Sequence, residues 1–345
     1  MAMKEIEELR INEDFASRLF PENEGIKLGI VRKIMIHVDD PRFARIGELQ
    51  REIMAATGRR FFYGGRTHRE YTLGELKGAK LFKLVVATTF EPPGELCGTK
   101  YDESTACPKC GAGAVQTSDL WLDLRKVPKG KEIATTIANE IIVSQRLAER
   151  MTDAGLTGFE LRPVRHKARY EDDPLDLSQV PTGREILQKA EAAGVPHPTG
   201  RFYVWLNRAE NRECYDQARA EHAALKGEQD RQKTKAFPVW HQLVVVSNNA
   251  EIVAPTRVGI DPFDDDLKGE CRCPLGDLIG LNLLSEVSVS AASRGELDIV
   301  YSRQFIGVRR GLLRPRRVIL ISPRFRKLLE SEKIKGAVLE VAYLV

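Results

Sequence analysis

Short apolar runs alternate with polar stretches along this chain, and their lengths and spacing predict both strands and helices. Apolar strands are expected near the N-terminus at 28–38, 59–63 and 81–90. Asp40 followed by Pro41 is a typical helix start and Gly58 a typical stop, so a helix is expected from 41 to about 57. Thr72 and Glu75 form a capping-box pattern, which predicts a short helical turn.

One order of elements, a strand, a capped helix and a second strand, occurs twice. The first copy has these elements at 140–143, 145–154 and 159–164, and the second has them at 318–321, 324–332 and 337–345. The copies align without gaps at an offset of 178 positions, which pairs Ser144 with Ser322, Arg146 with Arg324 and Gly158 with Gly336. This self-similarity favours a duplicated supersecondary unit. Chance recurrence of a frequent pattern is the alternative.

Changes in composition divide the chain into four segments. They are an N-terminal α/β segment at 1–96, a first cysteine-turn and strand-helix-strand unit at 97–164, a charged insertion with a long helix at 165–250, and a second cysteine-turn and strand-helix-strand unit at 251–345. The long helix is expected at about 210–233 and has little apolar face. The fold class that follows is α+β, with mixed sheets, a zinc-knuckle core and two related strand-helix-strand units.

The composition is that of a soluble globular protein. Hydrophobic residues make up 42% of the 345 positions and charged residues 30%. The longest apolar runs fall far short of the roughly 20 residues that cross a bilayer. We therefore expect a cytoplasmic protein without a membrane segment. Three of the six cysteines lie between positions 97 and 110, which in a reducing compartment favours a metal site over disulfides.

A cysteine turn carries the most specific chemical signal in the sequence. Cys107 and Cys110 are separated by a proline and a lysine and are followed by Gly111. This spacing lets two thiolates meet one zinc ion while backbone amides turn towards the sulfurs. The zinc is expected to be structural, and its other ligands must come from elsewhere in the chain.

The remaining cysteines supply the candidates for the other zinc ligands. Cys273 is expected as the third ligand, and Cys271 ranks before Cys97 as the fourth. Cys271 and Cys273 have only one residue between them, which makes a shorter turn than zinc sites usually contain. A reduced, metal-free turn that simply packs in the protein is the alternative.

Positive charge is concentrated near the C-terminus. Between positions 301 and 335 there are eleven Lys or Arg residues and two Glu residues. Such a region creates a field that steers an acidic partner. The predicted partner-binding residues are Arg309, Arg310, Arg314, Arg316 and Arg317. The alternative is a solvated surface without a dedicated function.

The sequence contains none of the common catalytic motifs. There is no His-Glu-x-x-His pair, no Gly-x-Ser-x-Gly elbow and no Gly-x-x-x-x-Gly-Lys phosphate loop. Asp264, Asp265 and Asp266 lack the alternating ligand spacing of a calcium loop, so a solvated turn is expected there. We therefore expect a protein that binds a partner and has no catalytic residues.

The two cysteine turns and the C-terminal unit resemble a known family. The motifs are Cys107-Pro-Lys-Cys110-Gly111, Cys273-Pro-Leu-Gly276 and a closing run at 319–329 that is followed by Ile334-Lys-Gly. They are similar to those of the double-CxxCG-motif immunity proteins of bacterial polymorphic toxin systems. The resemblance covers about 97–164 and 271–345. It implies a protein that binds and neutralises a toxin, with zinc as structural support.

The sequence departs from this family pattern at the second turn. Aligning the run that starts at Cys273 on the first turn places Gly276 where a fourth cysteine is expected. Cys271 would then replace that ligand from the other side of the turn, or Asp277 would supply an oxygen ligand. The fourth zinc ligand stays open among Cys271, Asp277 and Cys97.

These observations lead to one preferred function and two rivals. The preferred function is a non-enzymatic, zinc-containing immunity protein that covers a toxin surface. The first rival is a zinc-ribbon protein that binds nucleic acid through the C-terminal arginines, with Tyr301, Phe305 and Phe325 as stacking partners. The second, weaker rival is an enzyme that uses the acidic residues 264–266.

Overall fold

The computed structural model describes residues 3–108, 111–167, 237–259, 262–263, 278–279, 282–307 and 315–345. Within these ranges the chain combines helices with antiparallel and mixed sheets, so the predicted α+β class is confirmed. The long helix predicted at about 210–233 lies outside the described residues. Among the helices in these ranges, none has both the length and the apolar composition needed to cross a membrane.

The N-terminal unit is a four-stranded antiparallel sheet with helices on one face. Its elements are β1 (Lys4–Asn12), α1 (Glu13–Ala16), β2 (Ile26–Leu28), β3 (Val31–His37), α2 (Pro41–Thr57) and β4 (Phe62–Glu70). The strand order is β2-β3-β1-β4. This order and these connections are those of a ferredoxin-like β-α-β-β-α-β unit.

Helix α2 begins and ends where the sequence predicts. The Asp40 side chain accepts a hydrogen bond from the backbone N–H of Arg42 at 2.8 Å, and Gly58 ends the helix with a left-handed φ of 68°. The buried side of α2 packs on one face of the sheet. The core between them contains Leu9, Ile11, Ile34, Ile36, Ile46, Leu49 and Ile53.

Two further groups of elements follow along the chain. The first comprises α3 (Leu73–Gly78), β5 (Leu81–Val86), β6 (Thr89–Phe90), α4 (Gly94–Cys97), β7 (Tyr101–Asp102), β8 (Val115–Gln116), β9 (Leu120–Leu122), a 3-10 turn (Leu124–Lys126), β10 (Ile133–Thr136), β11 (Ile141–Ser144), α5 (Gln145–Asp153) and β12 (Phe159–His166). The second comprises β13 (Trp240–Val245), β14 (Ile252–Val253), β15 (Val258–Gly259), β16 (Leu278–Ile279), β17 (Asn282–Leu283), β18 (Val287–Val289), α6 (Ala291–Arg294), β19 (Ile299–Ile306), β20 (Arg316–Ile321), α7 (Pro323–Ser331) and β21 (Ala337–Leu344).

These groups form two sheets whose strands correspond step by step. The first sheet has the order β6-β10-β11-β13-β12-β9, and the second has the order β14-β18-β21-β5-β20-β19-β16. Read backwards and without β14, the second order is β16-β19-β20-β5-β21-β18. In both sets of six, the outermost pair at each end is parallel and the three inner pairs are antiparallel. We call 87–167 the first half of this duplicated unit and 246–345 the second half.

The two halves exchange one central strand. Strand β5 directly precedes the first half but lies in the second sheet between β20 and β21, whereas β13 precedes the second half but lies in the first sheet. The registers also agree: Ile142 lies opposite Gln242 in the first sheet, and Leu320, its equivalent, lies opposite Lys83 in the second. The sheets therefore cross the segment boundaries predicted at 96 and 250.

Helices α5 and α7 pack together and cap each other. Each begins at the predicted serine, because Ser144 and Ser322 accept hydrogen bonds from backbone N–H groups of the first turn. Arg146 Nη2 of α5 donates to the carbonyl of Glu332, at the end of α7, at 2.9 Å. Arg324 of α7 donates in the same way to the carbonyl at the end of α5. These paired contacts confirm the two related strand-helix-strand units.

The largest core lies where the two sheets and these helices meet. Its buried side chains come from both halves and from both exchanged strands: Phe82, Leu84, Ile133, Ile141, Val143, Leu147, Ala148, Met151, Leu156, Leu243, Val245, Ile299, Ile319, Ile321, Phe325, Leu329 and Val341. Apolar burial contributes roughly 25 cal/mol per Å². Since one core serves both halves, we expect them to fold as a single cooperative unit.

Candidate metal centre

The first cysteine turn lies in a loop that β7 and β8 close by antiparallel pairing. The backbone N–H of Cys107 donates to the carbonyl of Ala112 at 2.7 Å, and the N–H of Gly111 donates to the carbonyl of Cys107 at 2.7 Å. Gly111 has a left-handed φ of 72°, which glycine adopts without steric strain. The backbone therefore folds back on Cys107.

Cys107 is buried against the other half of the molecule. Its residue is 2% exposed, and it packs with Ala112 and with Phe305 of β19. Phe305 lies opposite Leu278 of β16, and Leu278 follows Cys273 by five positions. Because five residues span at most about 17 Å, the chain length allows the second cysteine turn to reach the first.

The second cysteine turn falls, in sequence, in an equivalent loop that β15 and β17 close. The hydrogen bonds at the base of the two loops match in kind and length. The N–H of Thr117 donates to the carbonyl of Lys100, and the N–H of Leu284 to that of Arg257, each at 2.9 Å. Ser118 Oγ accepts from the N–H of Lys100 at 2.9 Å, and Ser285 Oγ from that of Arg257 at 2.8 Å. The duplication therefore includes the loops that carry the cysteine turns.

A threonine fixes each loop to the strand beside it. Thr99 Oγ1 donates to the carbonyl of Trp121 at 3.2 Å and accepts from its N–H at 2.8 Å. Thr256 Oγ1 makes the same pair of bonds with Ser288, at 3.3 and 2.9 Å. Trp121 belongs to β9 and Ser288 to β18, which hold equivalent places in the two sheets.

Replacing Thr99 by valine is expected to destabilise the fold by about 1–3 kcal/mol, since the N–H and C=O of Trp121 would lose their partner near a buried site. The exposed hydroxyl of Thr117 donates a single bond, to Lys100, so Thr117→Val is the matched control and should cost less than about 0.5 kcal/mol. Urea unfolding of the two variants measures the difference. Equal stabilities would mean that the Thr99 pair does not hold the loop.

The equivalence of the loops also allows their cysteine turns to be compared. Residues 103–114 separate β7 from β8 and residues 260–281 separate β15 from β17, so the second loop is longer. Cys107 precedes β8 by eight positions and Cys273 precedes β17 by nine. The two turns are therefore one position out of step: Asp277, and not Gly276, lies as far before β17 as Cys110 lies before β8, and nine of the ten extra residues of the second loop come before Cys273.

Part of this longer loop anchors it to the N-terminal unit. The ring of Phe263 lies 4.8 Å from that of Phe43 and 5.3 Å from that of Phe62, measured between centroids. A side chain on Gly47 of α2 would place its Cβ 2.6 Å from the Cβ of Phe263. Gly47 thus makes room for Phe263 on the core of the N-terminal unit, and the second loop is held there.

The structure describes two of the predicted zinc-ligand candidates. Cys107 lies in the turn described above, and Cys97, 1% exposed, ends helix α4. The other candidates lie outside the described residues, as do the acidic residues 264–266: Cys110, Cys271, Cys273 and Asp277. Within the ranges that are described, no group of three or more His, Cys, Asp or Glu side chains is arranged to hold a metal.

The buried carboxylate of Glu140, which belongs to no recognised motif, supports the first loop. Glu140 is 6% exposed and accepts hydrogen bonds from the N–H of Gly94 at 2.9 Å and from the hydroxyls of Tyr101 and Thr136. It therefore joins α4 and β7 to the start of β11. An acidic residue at the first position of a predicted apolar strand is the one sequence signal that points to it.

The described arginines of the C-terminal cluster make contacts within the protein. Arg317 stacks on Phe305, with its guanidinium carbon 4.1 Å from the ring centroid, and donates to the carbonyl of Ser302 at 2.9 Å. Arg316 is exposed at the start of β20. The other predicted partner-binding residues, Arg309, Arg310 and Arg314, lie outside the described residues. Arg317 thus fixes Phe305, against which Cys107 packs.

In comparisons with known proteins, no family model, no curated protein and no solved structure matches this chain.

Proposed function

We propose that this chain is a zinc-stabilised binding protein that neutralises a protein toxin, as the immunity proteins it resembles do. The observation that carries the proposal is the placement of the two cysteine turns. They fall in loops of equivalent position and equivalent hydrogen bonding in two duplicated halves. A double cysteine motif is the defining feature of the immunity-protein family that this sequence resembles.

The residues around the first turn fit a structural zinc ion. Cys107 is buried beside Phe305, and the backbone of its turn folds back on it. Cys107, Cys110 and Cys273 would hold the ion, with Cys271, Asp277 or Cys97 as the fourth ligand. Bound zinc would supply a cross-link between the two halves, and such a link stabilises the folded state directly.

The described arginines of the C-terminal cluster count against the rival function in nucleic-acid binding, because three of them make contacts within the protein. Arg317 is engaged with Phe305 and a backbone carbonyl, and Arg324 caps helix α5. Arg326 stacks on the ring of Phe82, with its guanidinium carbon 5.0 Å from the centroid. Guanidinium groups used in this way are less available to phosphates. We place the protein in the reducing cytoplasm, where thiolates remain open to zinc.

The test is purification of the tagged full-length chain together with the product of the neighbouring gene, followed by a growth assay in cells that express that product. We expect a stable complex and restored growth. A chain that neither binds the neighbouring product nor protects cells from it would contradict the proposal. Binding to mixed DNA or RNA at low salt, lost at high salt, would favour the rival function.

A further inference from the structure

The N-terminal sheet has two faces of different character. Side chains that pair across antiparallel strands share a face, so Leu9 and Ile34, which lie opposite each other and are fully buried, mark the face under α2. The other face carries the side chains of the alternating positions. We call it the open face; it carries Arg10, Ile26, Leu28, Lys33, Met35 and Arg66, together with Lys4, Glu8, His68 and Glu70.

The β2–β3 side of the open face is apolar and exposed. Ile26 is 57% exposed, Leu28 55% and Met35 50%. Strand β2 is also the edge strand of its sheet. Its one charged residue, Lys27, is the kind that protects sheet edges, whereas exposed apolar residues beside it mark a site of protein interaction. The local sequence therefore favours a surface that a partner covers.

On the β1–β4 side of the open face, the positive residues Lys4, Arg10 and Arg66 outnumber Glu8 and Glu70, so this side is weakly basic. Arg10 and Arg66 are exposed and have no ion pair with any other described residue. Lys33 lies between the two sides and is 3.6 Å from Glu8. The two arginines therefore leave positive charge exposed on this side of the face.

The geometry points to the open face as a docking surface for an acidic protein partner. This inference rests on the proposed function, because it names the surface through which a protein toxin would be bound. Neighbouring strands are about 4.8 Å apart, so β1 and β4 lie about 10 and 14 Å from β2. We expect the matching partner surface to carry an apolar patch and, about 10 to 14 Å from it, carboxylates.

The test uses two labelled helical peptides of about 20 residues, a length at which isolated helices form. Both carry the same leucine stripe, which is flanked by glutamates in one peptide and by lysines in the other. Fluorescence anisotropy with the full-length chain should show salt-dependent binding of the acidic peptide. Arg10→Glu combined with Arg66→Glu should weaken that binding by about tenfold or more.

The control variant combines Arg51→Glu and Lys80→Glu, two exposed positions outside the open face, and should leave binding unchanged. Met35→Ser should weaken binding of the acidic peptide without changing its salt dependence. The inference is overturned if the lysine peptide binds as well as the glutamate peptide, or if the two charge-reversed variants behave alike. It is also overturned if single-stranded DNA of similar length displaces the acidic peptide from the wild-type chain.

The two proposals fail in different ways. If the copurified neighbouring product binds the Arg10→Glu, Arg66→Glu variant as tightly as the wild type, the open face is wrong and the proposed function stands. If no neighbouring product is bound and cells are not protected, the proposed function fails, whatever the peptides do.

Discussion

Replacing Gly158 or Gly336 by alanine is expected to destabilise the protein by about 3–5 kcal/mol, from steric overlap together with backbone strain. A Cβ on Gly158 would lie 2.1 Å from the carbonyl oxygen of Ile299, and one on Gly336 would lie 2.2 Å from that of Ile133. The φ angles of the two glycines are 99° and 108°. Both substitutions act where one half of the duplicated unit meets the other.

The matched control is Gly130→Ala. Gly130 has a similar left-handed φ of 69°, but no atom lies within 4 Å of the position that its Cβ would occupy. This substitution should cost only about 1 kcal/mol, the strain of the backbone conformation alone. Urea unfolding of the three variants gives the comparison. If the Gly158 and Gly336 variants are as stable as the Gly130 control, the two halves are not in close contact at these glycines. If the Gly158 and Gly336 variants differ strongly from each other in stability, the two glycines do not hold equivalent positions.

Replacing Glu340 by alanine is expected to destabilise the protein by about 3–5 kcal/mol, because it leaves the largely buried Lys83 without its carboxylate and Arg69 with only that of Glu5. Glu340 Oε2 lies 2.7 Å from Arg69 Nη1 and 2.8 Å from Lys83 Nζ. Arg69 comes from the N-terminal unit, Lys83 from an exchanged strand and Glu340 from β21. The matched control is Glu330→Ala, since Glu330 forms an exposed pair with Arg326 four residues away and its loss should cost less than about 0.5 kcal/mol.

The Glu340 contribution should depend on pH in a defined direction. Burial raises the pKa of Glu340, but Lys83 and Arg69 outweigh this effect and hold the pKa below its ordinary value of 4.5. A carboxyl group with a lowered pKa stabilises the folded state above its ordinary pKa, and the contribution is lost as pH falls through the folded-state pKa. The stability difference between wild type and Glu340→Gln should therefore be constant above about pH 5 and shrink in more acidic buffer. A difference that grows towards acid pH would contradict this assignment.

The sequence predicts those parts of the fold that depend on neighbouring residues. The caps at Asp40, Ser144 and Ser322 are local hydrogen bonds, and each lies where the pattern places it. Strand β1 is absent from the predicted elements because its run Lys-Glu-Ile-Glu-Glu-Leu-Arg-Ile-Asn contains many charged residues. Buried Glu7, whose carboxylate accepts a hydrogen bond from Thr67, shows how one such charge is accommodated in the sheet.

The exchange of β5 and β13 could not be predicted from the sequence. Both are short apolar strands, and nothing in their residues distinguishes the sheet that precedes them from the one that follows. The choice depends on packing partners far away in the chain, such as Leu320 beside Lys83. The duplication itself is visible in sequence only where the repeated helices and their caps align.

The candidate metal centre also has one part that follows from neighbouring residues and another that depends on residues far apart in the sequence. The turn at Cys107 depends on its own neighbours and follows from the spacing of cysteines and glycine. The packing of Phe305 on Cys107 and the bonds of Thr99 to Trp121 join residues distant in sequence. For the same reason, sequence spacing alone does not decide which residue would be the fourth ligand of the proposed zinc ion.

Whether zinc joins the two cysteine turns, as we propose, is tested by the metal content of the purified full-length chain and its cysteine variants, measured by elemental mass spectrometry. We expect one zinc per chain in the wild type, retained in Cys214→Ser and lost in both Cys107→Ser and Cys273→Ser. A wild-type chain without zinc, or zinc retained at full content in Cys107→Ser or Cys273→Ser, would show that zinc does not join the turns.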